Sequence, residues 1–215
     1  MYKIVLLSFF LFSLFILNSC TSTTEPTSLV EGYVILKVGL VKQYYNYNDS
    51  TYTNDKIYGK AIREDGQEVY IGAHSNSSPY IHQIDYSYYF IRDGYYYFTS
   101  LINYGDEKNP FHEQRIGKVY PKEGDSWYLD DNAPDSTKIQ FIAHYIGQMT
   151  TPAGTFPNVY EYQFYDPEVK ESYHVYYAEG VGSLGSISSR NKALLNYAKI
   201  DDKDYGEQIP AALLP

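Results

Sequence analysis

The stretch from Ile84 to Ile102 constrains the fold more than any other part of this chain. It reads as two runs of β-forming residues, 84–92 and 95–102, with Asp93-Gly94 between them. An Asp-Gly pair in that setting signals a two-residue hairpin. Both central positions of such a turn need positive φ, which Asp tolerates and Gly adopts freely. Counting outward from the turn sets Phe90 opposite Tyr97, Tyr88 opposite Thr99 and Tyr86 opposite Leu101 on one face. The other face carries Ile91 with Tyr96 and Tyr89 with Phe98. Cross-strand aromatic pairs contribute a few tenths to about 1 kcal/mol each. Aromatic residues on both faces predict that the hairpin lies between two layers, or between a core and a cleft.

The period-two pattern extends along the chain. Asp65-Gly66, flanked by 57–64 and 67–72, predicts a second hairpin with Ile62 opposite Val69 and Ala61 opposite Tyr70. A strand-like run goes from Tyr33 to Tyr47, and Asn48-Asp49-Ser50 and Asn54-Asp55 read as turns. Further strands are expected at 114–119, 138–146, 156–165 and 173–177. Residues 192–200 fit either a helical stripe of Ala193, Leu194, Tyr197 and Ala198 or a strand. No N-cap signal precedes a long amphipathic run. The expected fold is mostly β: a single twisted antiparallel sheet, or a β-sandwich or half-barrel, with little helix.

The N-terminus has a different character. After Met1-Tyr2-Lys3, residues 4–17 carry no charge. As a helix they would cover about 21 Å, short of the roughly 30 Å of a bilayer core. One Lys ahead of a short apolar stretch is the layout of a signal peptide, here 1–19. The next residues, Leu17-Asn18-Ser19-Cys20, resemble the lipobox of bacterial lipoproteins: an aliphatic residue at −3, a small residue at −1, then Cys. The resemblance implies cleavage before Cys20 and a diacylglycerol on its sulfur. Cys20 is the one cysteine in the sequence, so the chain forms no internal disulfide and no cysteine-based metal site. Two or more acyl chains anchor firmly where one does not. Polar residues 21–28 read as a tether. The expected organisation is a signal peptide at 1–19, lipidated Cys20 and tether at 20–29, a β-rich domain at 30–200 and a tail at 201–215. Thr21 stands where an Asp would retain a lipoprotein in the inner membrane of some bacteria. The resemblance therefore favours a lipid-anchored place in the cell envelope, at the outer membrane.

Further motifs are similar to elements of bacterial exported lipoproteins. They are Val119-Tyr120-Pro121-Lys122-Glu123-Gly124-Asp125-Ser126-Trp127, Thr151-Pro152-Ala153-Gly154-Thr155-Phe156 and Tyr176-Tyr177-Ala178-Glu179-Gly180-Val181-Gly182, with a fainter echo in Leu36-Lys37-Val38-Gly39. The resemblance spans about residues 30–200. It implies a twisted antiparallel sheet domain in the envelope and transfers no catalytic residue. Each motif also has a structural account. Pro152 and Gly154 set a turn, Gly180 and Gly182 permit positive φ, and Trp127 anchors a core by its area.

Charge and motif spacing narrow the function. With 26 acidic and 17 basic residues the net charge is −9, which disfavours a nucleic-acid partner. Gly180-Val181-Gly182-Ser183-Leu184-Gly185 matches a dinucleotide fingerprint in spacing, but too little chain follows for the fold that would use it. Val181 breaks the nucleophile-elbow pattern around Ser183. His74, His82, His112, His144 and His174 form no metal-ligand spacing and read as structural or solvated. The acidic clusters at 130–135 and 201–204 lack calcium-loop spacing. No cofactor, metal site or catalytic residue is expected. The 27 tyrosines supply the functional candidates. Tyr86, Tyr88 and Tyr97 are the expected ligand-facing aromatics, suited to a glycan, a lipid or an envelope protein. The expected function is a non-catalytic, lipid-anchored binding domain. The alternatives are an envelope hydrolase with a dispersed site and a structural component of a surface assembly.

Overall fold

The computed structural model describes residues 29–76 and 84–209. Cys20 and the segment around it, His82, and residues 210–215 lie outside the described residues. Within them the chain is all strand, with no helix. A short hairpin comes first, β1 (Leu29–Glu31) and β2 (Val34–Leu36). Then follow β3 (Val41–Asn46), β4 (Thr51–Ile62), β5 (Glu68–Asn76), β6 (Ile84–Arg92), β7 (Tyr95–Thr99), β8 (Gln114–Lys118) and β9 (Ser126–Tyr128). The last six are β10 (Gln140–Thr151), β11 (Gly154–Asp166), β12 (Glu171–Ala178), β13 (Gly182–Ser188), β14 (Lys192–Ile200) and β15 (Lys203–Gly206).

All but β1 and β2 join one antiparallel sheet, in the order β8-β7-β6-β5-β4-β3-β14-β13-β12-β11-β10-β9, with β15 added against β14. The two ends of that path nearly meet. Arg115 at the β8 edge donates its N–H to the Leu129 carbonyl just past β9 at 2.8 Å, and the Trp127 indole donates to the Arg115 carbonyl at 3.0 Å. The sheet thus almost closes into a barrel, which removes most of the unpaired edge that an open sheet leaves. The β1–β2 hairpin ties separate walls together. Tyr33 N–H bonds to the Val119 carbonyl, Gly180 N–H bonds to the Gly32 carbonyl, and Val34, Ile35 and Leu36 are buried.

The Asp93-Gly94 hairpin has the expected register, with Phe90 opposite Tyr97 and Tyr89 opposite Phe98. Asp93 and Gly94 both take positive φ, 52° and 74°, as a type I′ turn requires. Tyr86 does not face Leu101, because β7 ends at Thr99; it pairs with Ala73 on β5 instead. The Asp65-Gly66 hairpin is one residue out of the expected register. Ala61 faces Val69, and Arg63 bonds to Gln67 around a three-residue loop in which Gly66 takes φ 90°.

Asn54-Asp55 is not a turn but the middle of β4. Both residues have partners on neighbouring strands that local sequence does not reveal. The Gln43 side chain donates to Asn54 Oδ1 at 2.9 Å, and Asp55 is bonded to His74. Residues 192–200 are strand, flanked by β3, β13 and β15. The sheet also runs past residue 200 into the segment expected as a tail. Tyr197 donates its hydroxyl to Asp204 at 2.6 Å, and Gly206 packs where a Cβ would strike the Asn196 carbonyl at 2.1 Å.

Candidate functional site

Strand alternation sends every second side chain into the barrel, and the two halves of the interior differ. The half bounded by β9–β12 is filled with rings. Trp127, 4% exposed, stacks on Phe141 at 5.4 Å between centroids and meets Tyr162 edge-on at 5.0 Å. The Tyr162 hydroxyl donates to the Lys118 carbonyl at 2.8 Å. Gly117 on β8 leaves room for that ring, since a Cβ there would lie 3.2 Å from Tyr162 Cε2.

The other half holds a cavity of about 470 Å³. That is within the range of about 300–1,000 Å³ usual for small-molecule sites. Val34, Ile35, Leu40, Ile57 and Val175 give it apolar walls. Tyr89 and Tyr96, from the inner face of the β6–β7 hairpin, stack on each other beside it at 5.3 Å.

One wall carries a ladder of charge. Lys42 on β3 is in register with Asp55 on β4, Asp55 with His74 on β5, and His74 with Asp85 on β6. Facing residues in adjacent strands present their side chains on one side of a sheet, so cationic and acidic groups alternate along this row. His74 is bonded at both ring nitrogens: Nδ1 to Asp55 Oδ1 at 2.8 Å and Nε2 to the Tyr89 hydroxyl at 3.1 Å. An Asp55 carboxylate only accepts, so Nδ1 carries the proton. A neutral His74 then accepts from Tyr89 at Nε2, and a charged one donates. Burial pushes the His74 imidazolium down, but the bond to Asp55 and the charges of Asp55 and Asp85 outweigh it, and its pKa ends above the ordinary value. The Asp55 and His74 side chains keep 32% and 28% exposure, so solvent reaches the ladder there.

Lys42 is the inner end of the row. It is 6% exposed, and its Nζ donates to the Ser183 carbonyl at 3.0 Å. Three local features make this reach feasible. In-register Ala198 on β14 is small, and β13 begins its pairing with β14 at Gly185, so Ser183 is not committed to that ladder. Gly182 is a third: a Cβ there would come within 3.0 Å of Nζ. Burial lowers the Lys42 pKa to about 7, with the Asp55 charge opposing. A desolvated ammonium costs folding free energy, so a lysine here works against stability.

Four phenols surround this point. Burial first, and then nearby charge (Asp55 foremost for Tyr44, the neighbouring phenols for Tyr96), raises Tyr44 and Tyr96 well above the ordinary phenol value. Burial raises Tyr177 as well, and Tyr89 to about 12. Tyr44, Tyr89, Tyr96 and Tyr177 all line the cavity. All four remain protonated at neutral pH; the Tyr44 hydroxyl donates to the Ser183 carbonyl, and that of Tyr89 is bonded to His74.

The tyrosines singled out from sequence lie on the outer face of the same hairpin. Tyr97 stacks on Phe90 at 4.8 Å with Arg92 over both rings, and Tyr86 is 56% exposed. Tyr88 shares that face by alternation and is half-buried. Beside them Arg63 is buried against Phe111 and paired with Asp65 and Glu113 at 2.6 and 2.7 Å. Lys42, Asp55, His74, Tyr89 and Tyr96 were not singled out as a group from sequence. Among the described residues, no three His, Cys, Asp or Glu side chains gather as a metal site.

No protein-family model matches this chain, and no curated protein matches it. A solved structure described as "a putative lipoprotein from Parabacteroides distasonis ATCC 8503" is similar in fold with a TM-score of 0.44 and 15% identity, over 79% of this chain and 99% of that one.

Proposed function

We propose that this protein is a non-catalytic binding protein that holds one small amphipathic molecule inside its barrel, anchored to the bacterial envelope through a lipid on Cys20. The observation that carries the reading is the cavity of about 470 Å³ that combines apolar walls with a polar ladder ending at a buried lysine. A lysine that costs stability in a cavity wall has a reason to persist if it meets a ligand. The anchor rests on Leu17-Asn18-Ser19-Cys20 and its likeness to a lipobox. Outer-membrane placement follows from the same likeness and from Thr21.

A hydrolase reading has less support. Asp55 and Asp85 stand on the same wall with His74 between them, rather than facing each other across the cavity.

The test is titration with N-phenyl-1-naphthylamine, a dye that brightens in apolar surroundings. One saturable site per chain is expected, and Ala193→Phe, which fills the cavity from β14, should abolish it while the fold persists. A wild-type protein that leaves the dye dark refutes the reading.

A further inference from the structure

We propose that the cavity's ligand carries an acid group, a carboxylate or a phosphate, which seats between Lys42 Nζ and the hydroxyls of Tyr44, Tyr89, Tyr96 and Tyr177. This rests on the reading of the cavity as a ligand site and names the chemistry of its occupant.

Three observations converge. First, Lys42 has no counter-ion to hold its charge: among the described residues its Nζ is bonded to the Ser183 carbonyl, while the nearest acid of its row, Asp55, is bonded to His74. An ammonium has three donors, and the carbonyl takes one. Second, the groups that gather around it are donors. The Tyr44 hydroxyl shares the Ser183 carbonyl at 3.4 Å, and Tyr177 is in register with Ser183 on the adjacent strand. An ammonium with unused donors in a cavity lined by protonated phenols suits an oxyanion, since charge-assisted hydrogen bonds to an anion are about twice as strong as neutral ones. Third, the wall also has an aliphatic part, with Ile35, Leu40, Ile57 and Val175 available to a hydrocarbon chain. An alcohol would leave the buried cation without a partner, and an amine would add a second cation beside it.

The experiment is displacement of N-phenyl-1-naphthylamine at pH 7 by decanoate, decyl phosphate, decanol and decylammonium, each below its micelle-forming concentration. Decanoate or decyl phosphate should displace the dye at about tenfold or more lower concentration than decanol, and decylammonium should be weakest. Whichever acid is stronger identifies the headgroup. In Lys42→Met the acid preference should disappear while decanol binding persists. Tyr96→Phe, which keeps the ring, should lower the preference in part. Equal displacement by decanol and both acids in the wild type, or an acid preference unchanged in Lys42→Met, would overturn the proposal and leave the cavity reading standing. Failure of the dye to bind at all would remove both.

Discussion

The Tyr89 hydroxyl reaches Nε2 of His74 at 3.1 Å because residue 72, between them on β5, has no side chain. A Cβ at Gly72 would stand 2.7 Å from Tyr89 Cε2 and 3.4 Å from His74 Nε2. Gly72 is there for space, as its φ is not in the left-handed region. Gly72→Ala should therefore push the Tyr89 ring aside and destabilise the barrel by about 1–3 kcal/mol. Gly59→Ala, with nothing within 4 Å of its Cβ, should be neutral or stabilising by up to about 1 kcal/mol. Urea unfolding followed by the fluorescence of the single tryptophan, Trp127, measures both.

His74 should titrate above 6.5, because Asp55 and Asp85 outweigh its burial. A histidine raised in the folded state stabilises fully below its unfolded pKa, and that contribution is lost as pH rises through the folded value. His74→Gln should remove this part of the stability–pH slope. Asp55→Asn takes away the larger charge and leaves only a neutral acceptor for Nδ1–H, so burial should then prevail and the midpoint should fall below that of wild type. Proton NMR of the imidazole reports both directions.

Lys42 has the opposite sign. Its pKa is lowered to about 7 from 10.5, so between those values the unfolded chain binds more protons and wild-type stability rises with pH. Lys42→Met should stabilise at pH 7 by about 2–4 kcal/mol, after allowing for the lost bond to Ser183, and the gain should shrink towards pH 10. Paired urea curves at pH 7 and pH 9.5 measure it. A destabilised Lys42→Met at pH 7 would mean that the ammonium is better solvated than its burial indicates.

Cys20→Ser should move the full-length protein from the detergent phase to the aqueous phase of a Triton X-114 partition and end labelling by radioactive palmitate. Retention in the detergent phase would count against the lipid anchor.

The fold was legible wherever local chemistry set it. Asp93-Gly94 gave the type I′ register directly, since two adjacent positive-φ positions leave little choice. Asp65-Gly66 slipped by one because the same dipeptide also closes a three-residue loop, and only the Arg63–Gln67 bond distinguishes the two. Asn54-Asp55 read as a turn from residue type, although a buried amide partner and a histidine on the next strand hold both in β4. The ladder was hidden for the same reason. Lys42, Asp55, His74 and Asp85 are far apart in sequence, and their alignment depends on three strand-to-strand connections and on the bulge between Ile57 and Gly59. One wrong loop length moves every later residue to the other face. Hence Tyr86, Tyr88 and Tyr97 drew attention by density, while Tyr89 and Tyr96 of the same hairpin face the cavity.

The most direct measurement of the central claim is intermolecular NMR contact between a bound decyl chain and methyl-labelled protein. The account predicts contacts to methyls of Ile35, Ile57 and Val175 inside the barrel. Contacts confined to the outer face around Tyr86 and Tyr97, with the interior methyls silent, would contradict it.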